Sequence, residues 1–187
     1  MVEGRNHRPQ EFVIEWGSTP ADADRLAHFF VNGVTDEYIS HGELQTGRAV
    51  TVNQWSPSLA QHVAAELRDC LSEQDVTDRR SGVVVARNQH DILALAIISF
   101  HRGVNQSYCI IEDLLVAPSH RSHGIGQSML EWIEQEAKER RISCLFLESG
   151  IHNVRAHDFF HRYGFRTCSV TMMKSLDPAD AVQDRAT

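Results

Sequence analysis

Between Ser107 and Leu147 the chain passes, in about 40 residues, through an extended apolar stretch, a basic turn with two glycines, a stretch of helical period and a second apolar run. Ser107 to Val116 (SYCIIEDLLV) reads as a strand, stopped by Pro118 because proline cannot donate to a ladder. Gly124 to Arg140 puts Ile125, Met129, Trp132, Ile133 and Ala137 on one face, with Glu131, Glu134, Lys138 and Glu139 elsewhere, which predicts an amphipathic helix. Cys144 to Leu147 is apolar throughout, the pattern of a strand buried on both faces. Strand, helix and strand at this spacing make a right-handed βαβ unit with parallel strands, and that commits the chain to the α/β class.

The flanking segments add antiparallel pieces. Glu11 to Trp16 predicts a first strand, and Thr19-Pro20 a helix start carrying Leu26, Phe29 and Phe30. Val31 to Trp55, broken by Gly33, Gly42 and Gly47, reads as loop with short helical pieces. Ser56-Pro57 opens a helix in which Leu59, Val63, Leu67 and Cys70 or Leu71 recur, ending before Asp75. Gly82–Arg87 and Ile92–Phe100 form a hairpin about the turn Asn88–Asp91. Asn153 caps a last helix bearing Ala156, Phe159, Phe160 and Tyr163, stopped at Gly164, and Phe165 to Lys174 predicts a final strand.

The 187 residues, 42% hydrophobic and 23% charged, suit one compact domain over 11–176, with flexible segments at 1–10 and 177–187. A net charge of −7 argues against nucleic acid or an anionic membrane as partner and suits a cationic or neutral substrate. No apolar run approaches the roughly 20 residues of a membrane helix, and the N-terminal MVEGRNHRPQ has no hydrophobic region after its charges, so a cytoplasmic protein is expected. Cys70, Cys109, Cys144 and Cys168 are scattered, without C-x-x-C, and read as small core residues of a reducing compartment.

The turn Pro118–Gly126 has the geometry of an anion site. The first helical N–H groups, over Ser122–Gln127, point into the loop, the helix dipole adds positive charge, and Gly124 and Gly126 leave room for a phosphate. It is too short for a dinucleotide fingerprint and lacks the lysine of a P-loop. IEDLLVAPSHRSHGIGQSMLEWIEQEA followed by LFLESGIHNVRAHDFFHRYGF closely resembles the acetyl-CoA-binding core of the GNAT N-acetyltransferase superfamily, over residues 107–174 and more loosely back to residue 11. Arg121-x-x-Gly124-x-Gly126 is similar to that family's pyrophosphate motif, and the helix ending in Gly164-Phe165 to a second family feature.

The resemblance implies a GNAT-like single domain: a central mixed, mostly antiparallel sheet of about six to seven strands with about four flanking helices. It implies acetyl-CoA as co-substrate. The backbone of Leu114, Leu115 and Val116 would run beside the pantetheine arm, and Arg121, Ser122, His123, Gly124, Ile125, Gly126 and Gln127 would hold the pyrophosphate. Asn153 would touch the pantetheine region, cap its helix, or do both, while His123 would either bond a phosphate or face solvent.

The chemistry is attack of an amine on a thioester. An amine of pKa about 10.4 arrives protonated and needs a base. IEDLLV is similar to the strand of diamine and polyamine acetyltransferases whose glutamate serves as base, which points to Glu112. Strand alternation puts Glu112 on the face of Leu114 and Val116 and Asp113 on the other, and a buried carboxylate is rare without a reason. Glu148, at the end of the second parallel strand, is the rival, or else pairs with Arg155 or solvent. The family's usual tyrosine acid is replaced by Phe160, beside the cofactor. Tyr163 substitutes for it, or Tyr108 does, or the CoA thiolate leaves unprotonated, since a thiol of pKa about 8.5 is a tolerable leaving group.

His157-x-x-x-His161 has helical ligand spacing but not the glutamate of H-E-x-x-H, so no metal is expected. Asp36, Glu37 and Glu43, with Tyr38 and Trp55, either line an acceptor pocket or form an ordinary surface loop. The expected function is acetyl transfer to a primary amine of a small cationic metabolite or antibiotic, in a ternary complex. A protein or peptide amine is the second reading, and an acyl-CoA-binding regulatory module without turnover, suggested by Phe160, the third. Family members often dimerise, so a homodimer is compatible.

Overall fold

The computed structural model describes residues 12–72 and 80–176. The chain divides into two compact units, one ending at Val154 and the other beginning at Arg155.

The first unit is built on a five-stranded sheet. Its strands are β1 (Val13–Trp16), β4 (Ser81–Arg87), β5 (Ile92–Arg102), β6 (Ser107–Val116) and β7 (Cys144–Leu147), ordered β1-β4-β5-β6-β7. All neighbours are antiparallel except β6 and β7, which pair in parallel around α4 (Ile125–Glu139), as the βαβ pattern predicts. One face is covered by α1 (Ala23–Gly33) and α3 (Leu59–Ser72). Leu26, Phe30, Val63 and Leu67 pack there on Val83, Leu95, Ile97 and Leu115. Complete burial of such side chains stabilises by roughly 1.5–3 kcal/mol each. The opposite face is covered by α4, and Trp132 meets Trp16 edge-on at 5.1 Å between ring centroids.

The broken segment 31–55 folds into a 3-10 turn at Asp36–Tyr38, a short α2 (His41–Gln45) and a two-stranded sheet, β2 (Ala49–Thr51) with β3 (Gln54–Trp55). Ser40 and Glu43 start α2 with a capping box: the Glu43 carboxylate accepts from the Ser40 amide at 2.7 Å, and Ser40 Oγ accepts from the Gly42 amide at 3.2 Å. The expected end of α3 before Asp75 falls at 73–79, outside the described residues.

Three expectations are corrected. β7 is the edge strand of the described sheet, and Phe146 on it is 39% exposed, so its apolar run is not buried on both faces. Residues 165–176 form no strand, and Val170, Met172 and Met173 are exposed; alternation becomes a strand only where a neighbouring ladder accepts it. Among the described residues, five strands form the main sheet and two a separate pair, so the six to seven expected strands are divided between two sheets. Among the cysteines, Cys70 and Cys109 are core residues, but Cys168 is exposed.

The second unit holds α5 (Val154–Arg162), and an aromatic cluster organises it. Phe159 stacks near Tyr163 with centroids 4.8 Å apart, and Phe160 meets Phe165 at 5.5 Å.

Candidate active site

The parallel ladder of β6 and β7 ends at the pair Ile111↔Leu147, yet β6 runs on to Val116. From residue 112 onward β6 is paired, among the described residues, only on its β5 side, and its other edge carries no strand. The Ala117 amide donates to Leu93 O on β5 at 2.8 Å. Antiparallel alternation then turns the backbone of Leu115 toward β5 and that of Leu114 and Val116 to the other edge, where the Leu114 amide donates to the Tyr38 hydroxyl and Val116 O accepts from Arg121. An extended amide-bearing chain can be accommodated there in the manner of an added strand.

Glu112 and Glu148 are the residues next after the last pair, so both stand where the strands part. Both are exposed. Glu148 pairs with His41 Nδ1 at 3.1 Å. Gly150 packs so closely on the 37–39 backbone that a Cβ there would lie 2.3 Å from Glu37 O, which ties the segment after β7 to the start of α2.

The alternation expected along β6 is broken at this point. Ile97 opposes Asp113 and Ile98 opposes Ile111, so Glu112 is the extra residue of a β-bulge. Ile111 and Asp113 therefore face opposite sides of the sheet, both buried, at 2% and 1% exposure. Ser99, two residues from Ile97, shares the face of Ile97 and Asp113, and its hydroxyl donates to Glu112 Oε1. Glu112 thus leans to the face of Asp113, not to that of Leu114 and Val116. The buried carboxylate of the pair is Asp113.

Asp113 anchors a buried network. Arg48 donates to both its oxygens, Nη1 to Oδ2 at 3.0 Å and Nη2 to Oδ1 at 3.3 Å, and the Tyr38 hydroxyl donates to Oδ1 at 2.8 Å. The Tyr38 oxygen in turn accepts from the Leu114 amide at 3.3 Å. Arg48 also lies over the Phe30 ring, 4.7 Å from its centroid, and Tyr38 and Trp55 close the aromatic cluster about Phe30. Burial pushes the Asp113 carboxyl up, against the pull of Arg48, and raises the Tyr38 phenol, with Asp113 adding to it. Burial works against the charge on Arg48, but Asp113 and Glu66 outweigh it. Glu66, on α3, is raised by burial and by Asp113, Glu112 and Glu43, with Arg48 opposing. Tyr38 and Glu43 of the acidic loop are thus structural supports, whereas Asp36 and Glu37 are on the surface.

The turn after β6 is braced from α1. Arg121 donates from Nη2 to Gly33 O at 2.8 Å and from Nε to Val116 O at 3.2 Å, so its side chain holds the turn in place. His123 is exposed, with Nδ1 2.8 Å from Arg121 O. Ser122 and Gly124 both take left-handed backbone, φ 65° and 83°. The first helical bond comes from the Ser128 amide to Gly124 O at 3.0 Å, which puts the amides of Ile125 and Gly126 in the first turn of α4, ahead of the helical ladder. No atom lies within 4 Å of where a Gly124 Cβ would stand. Open space, outward amides and a helix N-terminus fit the pyrophosphate of a CoA thioester.

Asn153 immediately precedes α5, in the N-cap place. Phe160 and Tyr163 belong to the aromatic cluster of the second unit, where both are half-buried. The Arg48, Ser99 and His101 contributions escape sequence reading. Arg48 lies in a weakly patterned loop, Ser99 reads only as a polar position near the end of the strand Ile92–Phe100, and His101 falls just outside that expected strand, whereas β5 runs on to Arg102.

Residues 48–165 match the acetyltransferase (GNAT) family. A streptothricin acetyltransferase from Streptomyces lavendulae is 33% identical over 99 residues, 53% of this chain and 51% of that protein. An aminoalkylphosphonate N-acetyltransferase from Salmonella typhimurium is 32% identical over 120 residues, 59% of this chain and 78% of that protein. The chain thus spans about half the length of the first of these relatives. The crystal structure of an aminoglycoside N-acetyltransferase in complex with CoA superposes with a TM-score of 0.63 at 12% identity, covering 90% of this chain and 97% of that one, a likeness of fold.

Proposed function

Since the chain belongs to the acetyltransferase (GNAT) family, we propose that it transfers the acetyl group of acetyl-CoA to a primary amine of a small cationic molecule. The observation that carries this reading is the parting of β6 and β7 after Ile111↔Leu147, with two exposed carboxylates at the mouth and the first turn of α4 at the far end of the same strand. The activities for which the two sequence relatives are named, on streptothricin and on an aminoalkylphosphonate, favour a small-molecule acceptor over a protein one.

Acetyl-CoA supplies the activated acetyl group as a thioester. The turn Arg121–Gln127 binds its pyrophosphate through the first-turn amides of Ile125 and Gly126, and the Leu114–Val116 edge of β6 aligns the pantetheine arm, with Asn153 beside it. Glu112 attracts the ammonium of the acceptor and takes its proton, directly or through a water, leaving a neutral amine to attack. Glu148 lies 3.1 Å from His41 Nδ1, which engages one of its oxygens, and Glu112 is taken as the base. Phe160 donates no proton; a CoA thiolate of pKa about 8.5 leaves as the anion, so Tyr163 is not needed as an acid.

The test is thiol release from acetyl-CoA with polyamines, aminoglycosides, streptothricin, aminoalkylphosphonates and short peptides. Turnover of a small amine is expected, with kcat lowered about 100-fold or more by Glu112→Gln and within about threefold of the parent in Glu148→Gln. Preference for the peptides would overturn the acceptor class. Acetyl-CoA binding by calorimetry without turnover of any amine would make the chain a binding module instead.

A further inference from the structure

Glu112 is not isolated where β6 and β7 part. The Ser99 hydroxyl, on β5, donates to Glu112 Oε1, and Ser99 Oγ is 2.8 Å from His101 Nε2. Ser99 and His101 alternate along β5 and share one face of the sheet. His101 stacks on Tyr108, its register partner on β6, with centroids 5.0 Å apart and planes 10° from parallel. Tyr108 lines an open depression with Gly103, Val104, Asn105, Gln106 and Phe146, at the end of β6 away from the cofactor turn. Glu112, Ser99 and His101 are therefore joined in one hydrogen-bonded series that ends at the half-buried His101 ring, toward the end of the sheet away from the cofactor turn.

We propose that Ser99 and His101 form a proton relay that empties Glu112 after each acetyl transfer. The proposal rests on the reading of Glu112 as the base. In the free protein Glu112 is open to water, but an acceptor seated against its carboxylate covers that route, and the bond to Ser99 leads away beneath it. Protons balance as follows. The ammonium gives one proton to Glu112, and the Ser99 hydroxyl turns from the now neutral carboxyl to Nε2 of a His101 that carries its proton on Nδ1; the carboxyl then passes its proton to Ser99 Oγ as the hydroxyl proton moves to Nε2, the imidazolium releases a proton to solvent, and exchange with water restores the Nδ1–H form of His101 before the next turnover.

The other ionisable neighbours do not offer this path. Asp113 is held by Arg48 and Tyr38. Cys109 is fully buried and opposes Phe100, on the sheet face that α4 covers, where Arg140 lies over the Phe100 ring. Glu66 reaches the group from α3 and shares Arg48 at 3.9 Å.

The experiment uses the amine with the highest kcat/KM in the panel above. Ser99→Ala and His101→Ala are each expected to lower kcat about tenfold while the KM of the amine stays within about twofold, and the double variant to fall no further. Ser99→Thr keeps the hydroxyl and is expected to keep kcat. Imidazole in the buffer is expected to restore His101→Ala but not Ser99→Ala, a pattern that loss of packing does not produce. Unchanged kcat in both single variants, with Glu112→Gln inactive, overturns the relay and leaves the base standing. An active Glu112→Gln, or no amine turned over at all, overturns the reading of Glu112 and the relay with it.

Discussion

The Tyr38 hydroxyl bridges the Asp113 carboxylate and the Leu114 amide, 2.8 Å from the one and 3.3 Å from the other. One phenol thus joins the loop after α1 to the point where β6 leaves its parallel neighbour, and the charge it meets there is already shared with Arg48. The end of β6 is thus fixed through Tyr38 to a buried ion pair.

Removing Arg48 therefore strands a carboxylate inside the protein. Arg48→Met is expected to cost about 3–5 kcal/mol of stability at neutral pH in urea melts, and Arg48→Met with Asp113→Leu to recover a large part of it. The sign of the pH dependence follows from the direction of the Asp113 shift. Its carboxyl is raised by burial, with Arg48 opposing, so without Arg48 it is raised further. A raised folded-state carboxyl contributes stability that is present below its unfolded pKa and is lost as pH rises through its folded value. The gap between parent and variant should narrow as the solution is acidified toward pH about 4, and a gap that widens there would refute the assignment.

Gly124 separates cofactor binding from folding. Its φ of 83° strains any other residue, yet no atom stands within 4 Å of an added Cβ. Gly124→Ala is expected to lose about 1 kcal/mol of stability from the left-handed backbone alone. The same methyl projects into the space assigned to the pyrophosphate, so the KM for acetyl-CoA should rise about tenfold or more, with kcat at saturation little changed. An unaltered KM would place the pyrophosphate elsewhere.

Much of this was legible in the sequence because local chemistry dictates it. The period of Ile125, Met129 and Ile133 fixes α4, Pro118 ends β6, and the two glycines mark the turn. The side of the sheet taken by Glu112 was not legible, because a bulge leaves no mark in an alternating apolar run; only the register Ile97↔Asp113 beside Ile98↔Ile111 reveals it. Arg48 escaped for a different reason. Its partner is 65 residues away, and a lone arginine in a loop gives no sign of being buried. Residues 165–174 show the converse failure, since the strand expected there needs a neighbouring ladder and residues 165–174 pair with none.

Cys109 offers a reading of the same bulge from inside the sheet. Burial, with the nearby Glu112 charge adding to it, pushes its thiol up to about 12. At pH 8.5 it is therefore both inaccessible and protonated, whereas Cys168 is exposed. Labelling of the folded protein with iodoacetamide should modify Cys168 and spare Cys109, as peptide mass analysis would show. The raised thiol also destabilises at high pH. The unfolded chain loses this proton near pH 9 while the folded one keeps it to about 12, so stability should fall by up to about 1.4 kcal/mol per pH unit across that window. Cys109→Ala should flatten the fall between those limits, and a slope unchanged by the substitution would assign it to other groups.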